Sequence, residues 1–384
     1  MLKVMTVFGT RPEAIKMAPV VKAIEAAPDM ESVVTVTAQH REMLDQVLDL
    51  FDIAPDYDLN IMCAGQTLFD ITTRAVGGLK DVMESARPDV VLVHGDTTTT
   101  FAGALAAFYK EIPVCHVEAG LRTGNRYSPF PEEMNRKLTG ALATVHFAPT
   151  ASAEANLLKE NVPSESVFVT GNTVIDALSA TVRASYVFSE EPLASLDFSG
   201  RRIVLVTTHR RENLGEPMRQ VYRALRRLTE TFDDIEVVFP VHKNPQVRAI
   251  VSSELGNLER VHLIDPLDYE PFANLTARSY LVMTDSGGIQ EEAPSLGKPV
   301  LVLRDTTERP EAVEAGTVRL VGTEETEVYD AAHRLLSDRQ AYAVMAEAVN
   351  PYGDGEASRR IAEAIRYRFL NGERAPDRFD GARR

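Results

Sequence analysis

Cysteine and tryptophan are scarce in this chain of 384 residues, which has two cysteines and no tryptophan. The cysteines, Cys63 and Cys115, are far apart and form no CxxC pair, which disfavours a disulfide framework and a zinc finger. Long apolar runs are absent as well, and the first apolar residues are too few for a signal-peptide core. We therefore expect a cytoplasmic protein that does not cross a membrane.

Positive charge is also scarce, because 41 lysines and arginines stand against 56 aspartates and glutamates, for a net charge of −15. That balance disfavours nucleic acid and anionic membranes as partners. An anionic ligand would have to be held by local Lys and Arg side chains and by the N-termini of helices.

Two cofactor signatures are missing from the sequence. The only GxG, at Gly353–Gly355, does not follow an apolar strand, so the dinucleotide fingerprint is absent and we predict no nicotinamide cofactor. His116 and Glu118 share a strand face, but no third ligand has a suitable spacing, so we predict no metal site.

What the chain does contain is a regular alternation of apolar, β-branched runs with helical stretches. The predicted strands are Lys3–Phe8, Val33–Thr37, Val90–His94, Val114–Val117, Thr144–Phe147 and Val167–Val169, then Ile203–Thr207, Glu236–Pro240, Val261–Ile264, Tyr280–Thr284, Val300–Leu303 and Val318–Val321. Runs that are apolar throughout are typical of parallel strands covered on both faces. The pattern predicts an α/β protein with two doubly wound, Rossmann-like domains.

The domain boundaries follow from composition. Ser, Glu and Pro accumulate after residue 172, so we predict an N-terminal α/β domain over residues 1–172 and a C-terminal α/β domain over residues 173–354. An amphipathic helix follows within residues 355–372, and the polar residues 372–384 should be frayed. Because ligands bind beyond the carboxyl ends of parallel strands, the polar strand ends of the two domains are predicted to face a cleft.

The segment at residues 284–300 is the most informative of the sequence. Ser286, Gly287 and Gly288 connect an apolar strand to a helix, and glycine there allows a ligand to approach the backbone closely. The helix N-terminus favours an anion, and Glu292, about one turn later, can accept hydrogen bonds from ribose hydroxyls. The segment predicts a nucleotide site; the alternative is a glycine-rich turn with a solvated glutamate.

Three carboxylates are candidates for acid–base chemistry. Asp96 follows a strand, although it could simply be the N-cap of the next helix. Glu118 lies at the end of a buried strand, where an unpaired carboxylate is costly. Glu132 opens a helix, where the dipole alone favours an acid, and Arg136 one turn later could pair with it.

Cations stand near the same strand ends. Arg11 and Lys16 flank the start of the first helix, where they suit a phosphate or a departing diphosphate, unless they pair with Glu13. Arg309 follows a later strand and approaches the nucleotide loop, unless it pairs with a glutamate of its own loop.

Among the histidines, His209 is the best candidate. It ends a strand and is followed by two arginines, although a lone histidine is more often structural than catalytic. His94, His116 and His146 lie in or beside strands and are expected to be satisfied core histidines.

Several longer motifs extend over nearly the whole chain. They are FGTRPEAIK at residues 8–16, then HGDTTTT, HVEAGLRT, SPFPEE, HRREN, TDSGGIQEEAPSLGKPVL and RDTTERPEA, and finally NPYGDG at residues 350–355. In these motifs the chain resembles the non-hydrolysing UDP-N-acetylglucosamine 2-epimerase family of bacteria. The resemblance implies the GT-B fold, a C-terminal helix that returns to the first domain, and reversible conversion of UDP-GlcNAc to UDP-ManNAc with no cofactor.

The resemblance also implies residue roles. The residues that match the family's catalytic groups are Asp96, Glu118, Glu132 and His209. Those that match its UDP-sugar contacts are Arg11, Lys16, Phe272, Ser286, Gly287, Gly288, Glu292 and Arg309. Gln39 and His40 would belong to a second, activating UDP-GlcNAc site, and Leu267 departs from the Gln of some relatives at a uracil contact. A homodimer and a role in cell-wall polysaccharide biosynthesis are implied in the same way.

The chemistry explains why carboxylates and cations are both needed. The hydrogen on sugar C2 is not adjacent to a carbonyl, so direct deprotonation is disfavoured, and no nicotinamide is predicted that would oxidise the sugar. Elimination of UDP to an acetamidoglucal, followed by re-addition, remains. It requires an acid and a base on the two faces of C2 and positive charge on the diphosphate. The sequence leaves open which acid serves which face.

Two other functions remain compatible with the nucleotide segment. A GT-B glycosyltransferase would use a UDP-sugar and an acceptor, but it would not require three acids at the strand ends of the first domain. A non-catalytic nucleotide-sugar sensor would keep the nucleotide segment and would not need Asp96, Glu118 or His209.

Overall fold

The computed structural model describes residues 1–38 and 41–381, and these form two compact units. Unit 1 consists of Met1–Ser179 and Tyr352–Gly381, and the described part of unit 2 is Ala180–Pro351. The chain therefore leaves unit 1 once and returns to it near the C-terminus.

Unit 1 is built on a parallel sheet of seven strands. Its strands are β1 Leu2–Phe8, β2 Met30–Val36, β3 Tyr57–Asp58, β4 Val90–His94, β5 Val114–Val117, β6 Val145–Ala148 and β7 Val167–Val169. Their order across the sheet is β3-β2-β1-β4-β5-β6-β7. The central strands are buried almost throughout, as expected for a parallel sheet covered on both faces.

Unit 2 repeats this plan with six parallel strands. They are β8 Arg202–Thr207, β9 Ile235–Pro240, β10 Val261–Ile264, β11 Leu281–Thr284, β12 Val300–Val302 and β13 Val318–Leu320, in the order β10-β9-β8-β11-β12-β13. Two fully buried rings of its core, Tyr222 and Phe239, have centroids 5.7 Å apart.

Helices connect the strands of both units. In chain order they are α1 Arg11–Glu25, α2 Arg41–Leu50, α3 Leu68–Ala86, α4 Thr98–Tyr109, α5 Glu132–Leu142, α6 Ala151–Lys159, α7 Thr173–Thr181, α8 Glu216–Thr231, α9 Pro245–Leu255, α10 Tyr269–Arg278, α11 Gly287–Ser295, α12 Pro310–Glu314, α13 Glu325–Ser337, α14 Arg339–Ala346 and α15 Ala357–Phe369. The last helix, α15, belongs to unit 1 and packs against α1. Within the described ranges, no helix is both long and apolar enough to span a bilayer.

The predicted fold class is confirmed: the protein is α/β, with two Rossmann-like domains of the GT-B type. Every predicted strand overlaps a strand of the structure, with bounds that shift by a few residues. The prediction missed β3, because its two residues, Tyr57 and Asp58, are too few to give a periodic pattern.

The expectation of a frayed tail is wrong for residues 372–381. Phe379 is only 4% exposed, and its main-chain amide donates a hydrogen bond of 2.9 Å to the carbonyl of Val169. Asp377 accepts a hydrogen bond of 3.0 Å from Nε of Arg360. The buried ring of Phe379, a main-chain hydrogen bond and the contact of Asp377 with Arg360 together dock this polar segment on unit 1.

Candidate active site

Both sheets reverse their strand order between two central neighbours, β1 and β4 in unit 1 and β8 and β11 in unit 2. Parallel α/β sheets bind ligands beyond the carboxyl ends of such strands. The loops at those ends are residues 9–10 and 95–97 in unit 1, and residues 208–210 and 285–286 in unit 2. Many of the predicted site residues lie in these loops or in the helices that follow them.

The first turn of α1 is fixed by a capping box between Thr10 and Glu13. Glu13 is buried, and its Oε2 accepts hydrogen bonds from the main-chain amides of Gly9 at 3.1 Å and Thr10 at 2.8 Å. Burial raises the pKa of Glu13, and these hydrogen bonds oppose the rise. Since capping occupies this carboxylate, the alternative that it neutralises Arg11 and Lys16 is wrong.

Glu118 follows β5 and is held in an unusual conformation. It is 9% exposed, and its φ of 61° lies in the left-handed region, which costs a non-glycine residue about 1–2 kcal/mol. Its Oε1 accepts hydrogen bonds from Nζ of Lys16 and, at 2.9 Å, from Nδ2 of Asn172. A predicted phosphate contact and a predicted catalytic acid therefore form one ion pair.

The second oxygen of Glu118 faces a buried histidine. His94 ends β4, is 3% exposed, and has its Nε2 3.6 Å from Oε2 of Glu118. Neither of its ring nitrogens makes a hydrogen bond within the described residues, so the expectation of a satisfied core histidine is wrong for His94. Burial lowers the pKa of His94 to about 4, which keeps its ring neutral at neutral pH. His116 does have a partner, since its Nε2 lies 2.7 Å from the carbonyl oxygen of Gly95.

Asp96 is not a helix cap. The N-cap of α4 is Thr97, whose hydroxyl accepts from the amide of Thr100 at 3.1 Å. The carboxylate of Asp96 instead accepts a hydrogen bond of 2.5 Å from Nη2 of Arg136 on α5. This ion pair fixes the position of the Asp96 side chain just after β4.

The two glutamates that open α5 have different surroundings. Glu133 is fully buried and accepts from the amides of Thr123 and Gly124, both at 3.0 Å, and from Arg136 at 3.2 Å. The predicted alternative, in which Arg136 pairs with Glu132, is therefore wrong. Glu132 is half-buried and makes no hydrogen bond or ion pair with any described residue, so its carboxylate is available to a ligand.

In unit 2 the candidate histidine, His209, contacts Asp285, a residue that the sequence analysis did not single out. Asp285 follows β11 with a fully buried side chain, and its Oδ2 accepts from the amides of His209 and Arg210, both at 2.9 Å. Nδ1 of His209 lies 2.9 Å from Oδ1 of the same carboxylate. Burial acts to raise the pKa of Asp285, but the His209 side chain and the two amides outweigh it and the pKa is lowered.

Gly287 and Gly288 begin α11, directly after the N-cap Ser286. Neither has a positive φ, and a Cβ on Gly288 would meet only Oε1 of Glu292, at 3.5 Å. A Cβ on Gly287 would come no closer than 3.9 Å to a neighbouring side chain. Glycine in a helix costs about 1 kcal/mol relative to alanine, and the fold gives no reason for it here. A ligand that approaches the backbone would be such a reason.

The remaining predicted contacts also belong to unit 2. Arg309 donates from Nε to Glu291, a buried residue of α11, so it is tied to the predicted nucleotide loop. Phe272 lies in the first turn of α10, half-buried, shortly after Leu267.

Two predicted residues are not described by the structure, and two residues of the site were not predicted. Gln39 and His40 lie outside the described residues, so their predicted role stays a prediction. Asn172 and Asp285 were missed, and the signal for both was a polar residue closely following an apolar strand. In the described part of the chain, no three His, Cys, Asp or Glu side chains are grouped as a metal ion would require.

Comparison with known proteins agrees with these features. The family model described as UDP-N-acetylglucosamine 2-epimerase matches residues 22–366. The UDP-N-acetylglucosamine 2-epimerase of Bacillus subtilis strain 168 is 60% identical over 381 residues, covering 99% of this chain and 99% of that protein. The enzyme of the same name from Escherichia coli K12 is 58% identical over 370 residues, covering 95% and 98%.

A solved structure is similar over nearly the same length. It is the crystal structure of UDP-GlcNAc 2-epimerase from Neisseria meningitidis bound to UDP-GlcNAc, with a TM-score of 0.84 and 51% identity. The match covers 97% of this chain and 100% of that one.

Proposed function

Because the chain belongs to the UDP-N-acetylglucosamine 2-epimerase family, we propose that it interconverts UDP-GlcNAc and UDP-ManNAc by eliminating UDP and adding it back. A base removes the C2 proton while the C1–O bond breaks, and the bonding electrons leave with the β-phosphate of UDP. The resulting acetamidoglucal has a C1–C2 double bond. UDP then adds to C1, and an acid returns a proton to the other face of C2.

The carboxylates of unit 1 support this chemistry, and they are the single observation that carries the proposal. Asp96 and Glu118 follow the neighbouring strands β4 and β5, and Glu132 begins α5. Each has a different environment: Asp96 contacts an arginine, Glu118 contacts a lysine and a neutral histidine, and Glu132 contacts neither. Proton abstraction and proton return need a base on one face of C2 and an acid on the other, and these three carboxylates are the candidates for the two roles.

For the nucleotide, we assign the diphosphate of UDP to the start of α11. Gly287 and Gly288 present main-chain amides at a helix N-terminus, where the dipole favours a leaving anion. Ser286 would contribute its hydroxyl, because its main-chain amide donates to Oγ1 of Thr284 at 2.9 Å. Glu292 would accept the ribose hydroxyls, and Phe272 and Arg309 are assigned to the same UDP-sugar. Arg11 and Lys16 supply the positive charge that an acidic chain otherwise lacks.

The proposal is tested by proton NMR of UDP-GlcNAc with the purified protein in heavy water, with chelator and without added nicotinamide. Elimination and re-addition exchange the C2 proton with solvent, so UDP-ManNAc should form with deuterium at C2. An oxygen label in the C1–O bridge should scramble into the non-bridging positions of the β-phosphate. UDP-ManNAc that retains the C2 proton would exclude this route.

The same experiment separates the alternatives. A GT-B glycosyltransferase would form no UDP-ManNAc, and a nucleotide-sugar sensor would return UDP-GlcNAc unlabelled. The matched control is Glu118→Gln, which removes a proposed proton carrier and should reduce the label at C2 together with turnover.

The proposal extends to assembly and regulation in the cytoplasm. Exposed aromatic side chains on the neighbouring helices α3 and α4 support a homodimer: Phe69 is 84% exposed, Phe108 55% and Tyr109 68%. Gln39 and His40 are proposed to bind UDP-GlcNAc as an activator, so turnover of UDP-ManNAc alone should be slow until UDP-GlcNAc is added. The product is proposed to enter cell-wall polysaccharide biosynthesis.

A further inference from the structure

Asp285 contacts two neighbouring residues of the His209 loop with one carboxylate. Its Oδ2 holds the amides of His209 and Arg210, and its Oδ1 lies 2.9 Å from Nδ1 of the His209 ring. We propose that Asp285 is a positioning residue that fixes the ring orientation and the tautomer of His209, so that Nε2 faces the UDP-sugar. This inference rests on the proposed function, because it takes His209 to act on the substrate.

Exposure of the two side chains supports this arrangement. The Asp285 side chain is 0% exposed and the His209 side chain is 41% exposed. The carboxylate is therefore an anchor inside unit 2, and the ring extends from it toward the surface. A ring whose Nδ1 lies against a buried carboxylate has fewer orientations open to it than a free surface histidine.

Charge fixes the tautomer. Asp285 has a lowered pKa, so it is ionised at neutral pH and only accepts hydrogen bonds. The nitrogen beside an ionised carboxylate carries the hydrogen, which places it on Nδ1 of His209 and leaves Nε2 as the nitrogen that takes up or gives a proton.

The chain position of Asp285 connects this pair to the proposed diphosphate site. Asp285 directly precedes Ser286, the N-cap of α11, and its main-chain oxygen accepts a hydrogen bond of 3.2 Å from Nε of Arg210. Asp285 therefore contacts His209 and also leads directly into α11. This fixes the position of the His209 ring relative to the start of α11.

The test compares Asp285→Asn, His209→Asn and the double variant. An asparagine oxygen can still accept the two amides, while its NH₂ group would face Nδ1 and force the hydrogen onto Nε2. We expect turnover of Asp285→Asn to fall roughly 100-fold, within the range that acid–base groups supply, with UDP affinity unchanged within a few-fold. In the His209→Asn background the same change should cost less than about 2-fold, because the ring it positions is gone.

Nitrogen NMR of histidine-labelled protein gives a readout that a purely structural role would not move. The His209 signal should change from the Nδ1–H form to the Nε2–H form in Asp285→Asn. The matched control is Glu236→Gln, which changes another carboxylate–histidine pair of unit 2, Glu236 and His262 at 2.7 Å, and should leave turnover unchanged.

Several results would overturn the inference. They are near-normal turnover in Asp285→Asn, an equal loss in the His209→Asn background, or a loss of UDP affinity as large as the loss of turnover. Normal turnover in His209→Asn would instead remove His209 from the proposed function. Should Asp285→Asn fail to fold, Asp285→Glu keeps the charge and shifts it by one methylene, and normal turnover there would overturn the inference equally.

Discussion

The two oxygens of Glu118 have separate partners. Oε1 accepts from Lys16 and Asn172, whereas Oε2 faces the neutral ring of His94. A cation and an amide N–H stabilise the charged carboxylate, so Oε1 is the oxygen that keeps its charge. A proton taken up by Glu118 would sit on Oε2, the oxygen that lies 3.6 Å from Nε2 of His94.

We predict that Glu118→Gln, Asp96→Asn and Glu132→Gln each lower turnover by roughly 100-fold or more, the usual scale for a lost acid–base group. UDP affinity should stay within a few-fold, since the diphosphate is assigned to unit 2. Steady-state kinetics and calorimetry with UDP measure the two effects. Glu84→Gln, which changes a surface ion pair with Lys110, is the control. A variant with near-normal turnover would lose its catalytic assignment.

At this scale the sequence predicted which residues matter better than it predicted their contacts. Lys16 and Glu118 were both singled out, but their ion pair joins positions 102 residues apart, and no local pattern reports such a distance. Asn172 and Asp285 had a local signal, a polar residue after an apolar strand, but the residues that they contact are far away in the chain, so their role was not visible.

At the scale of single elements, the start of α11 allows a direct test of the proposed diphosphate site. A Cβ on its second residue, Gly288, would make only an ordinary contact, with Oε1 of Glu292 at 3.5 Å, and an acidic side chain near a helix N-terminus is favourable. Gly288→Asp should therefore fold but lose UDP binding, because its charge would occupy the diphosphate position. Thermal unfolding and calorimetry with UDP measure the two effects.

The matched control for that change is Gly77→Asp, at another helical glycine with nothing within 4 Å of its would-be Cβ. It should bind UDP normally. Unchanged affinity in Gly288→Asp would move the nucleotide to a different place in the protein.

Elements were predictable to different degrees. The long apolar strands were predicted correctly because each is a continuous run in the sequence. Strand β3 was not predicted because it has only two residues. The strand order was out of reach, since pairing of β1 with β4 depends on contacts between segments that are distant in the chain. That order is what places the loops after β1 and β4 side by side.

For the molecule as a whole, three buried histidines on the neighbouring strands β4, β5 and β6 tie stability to pH. Burial lowers the pKa of His94 to about 4, of His116 to about 3 and of His146 to about 4. The unfolded chain binds these protons below about pH 6.5, whereas folded unit 1 binds those of His94 and His146 only near pH 4 and that of His116 only near pH 3. Acidification through this window therefore favours unfolding.

We predict that the free energy of unfolding falls as the pH drops from about 6.5 to about 4, with ~1.4 kcal/mol per pH unit from each of these histidines. Denaturant titrations across this window measure the slope. His146→Gln should reduce the slope of the free energy of unfolding against pH by the contribution of one histidine. His242→Gln, at an exposed histidine of unit 2, should leave the slope unchanged. An unaltered slope in His146→Gln would contradict the assignment.

The ribosome completes residues 1–179 of unit 1 long before it makes residues 352–381, which belong to the same unit. Until then the face of α1 that packs against α15 is exposed to water, and Asp29 lacks its partner Arg366. The described part of unit 2, residues 180–351, is by contrast one continuous stretch of the chain. The half of the protein that is synthesised first is thus the last to be finished, and loss of the final segment of the chain would damage the domain at the opposite end of the sequence.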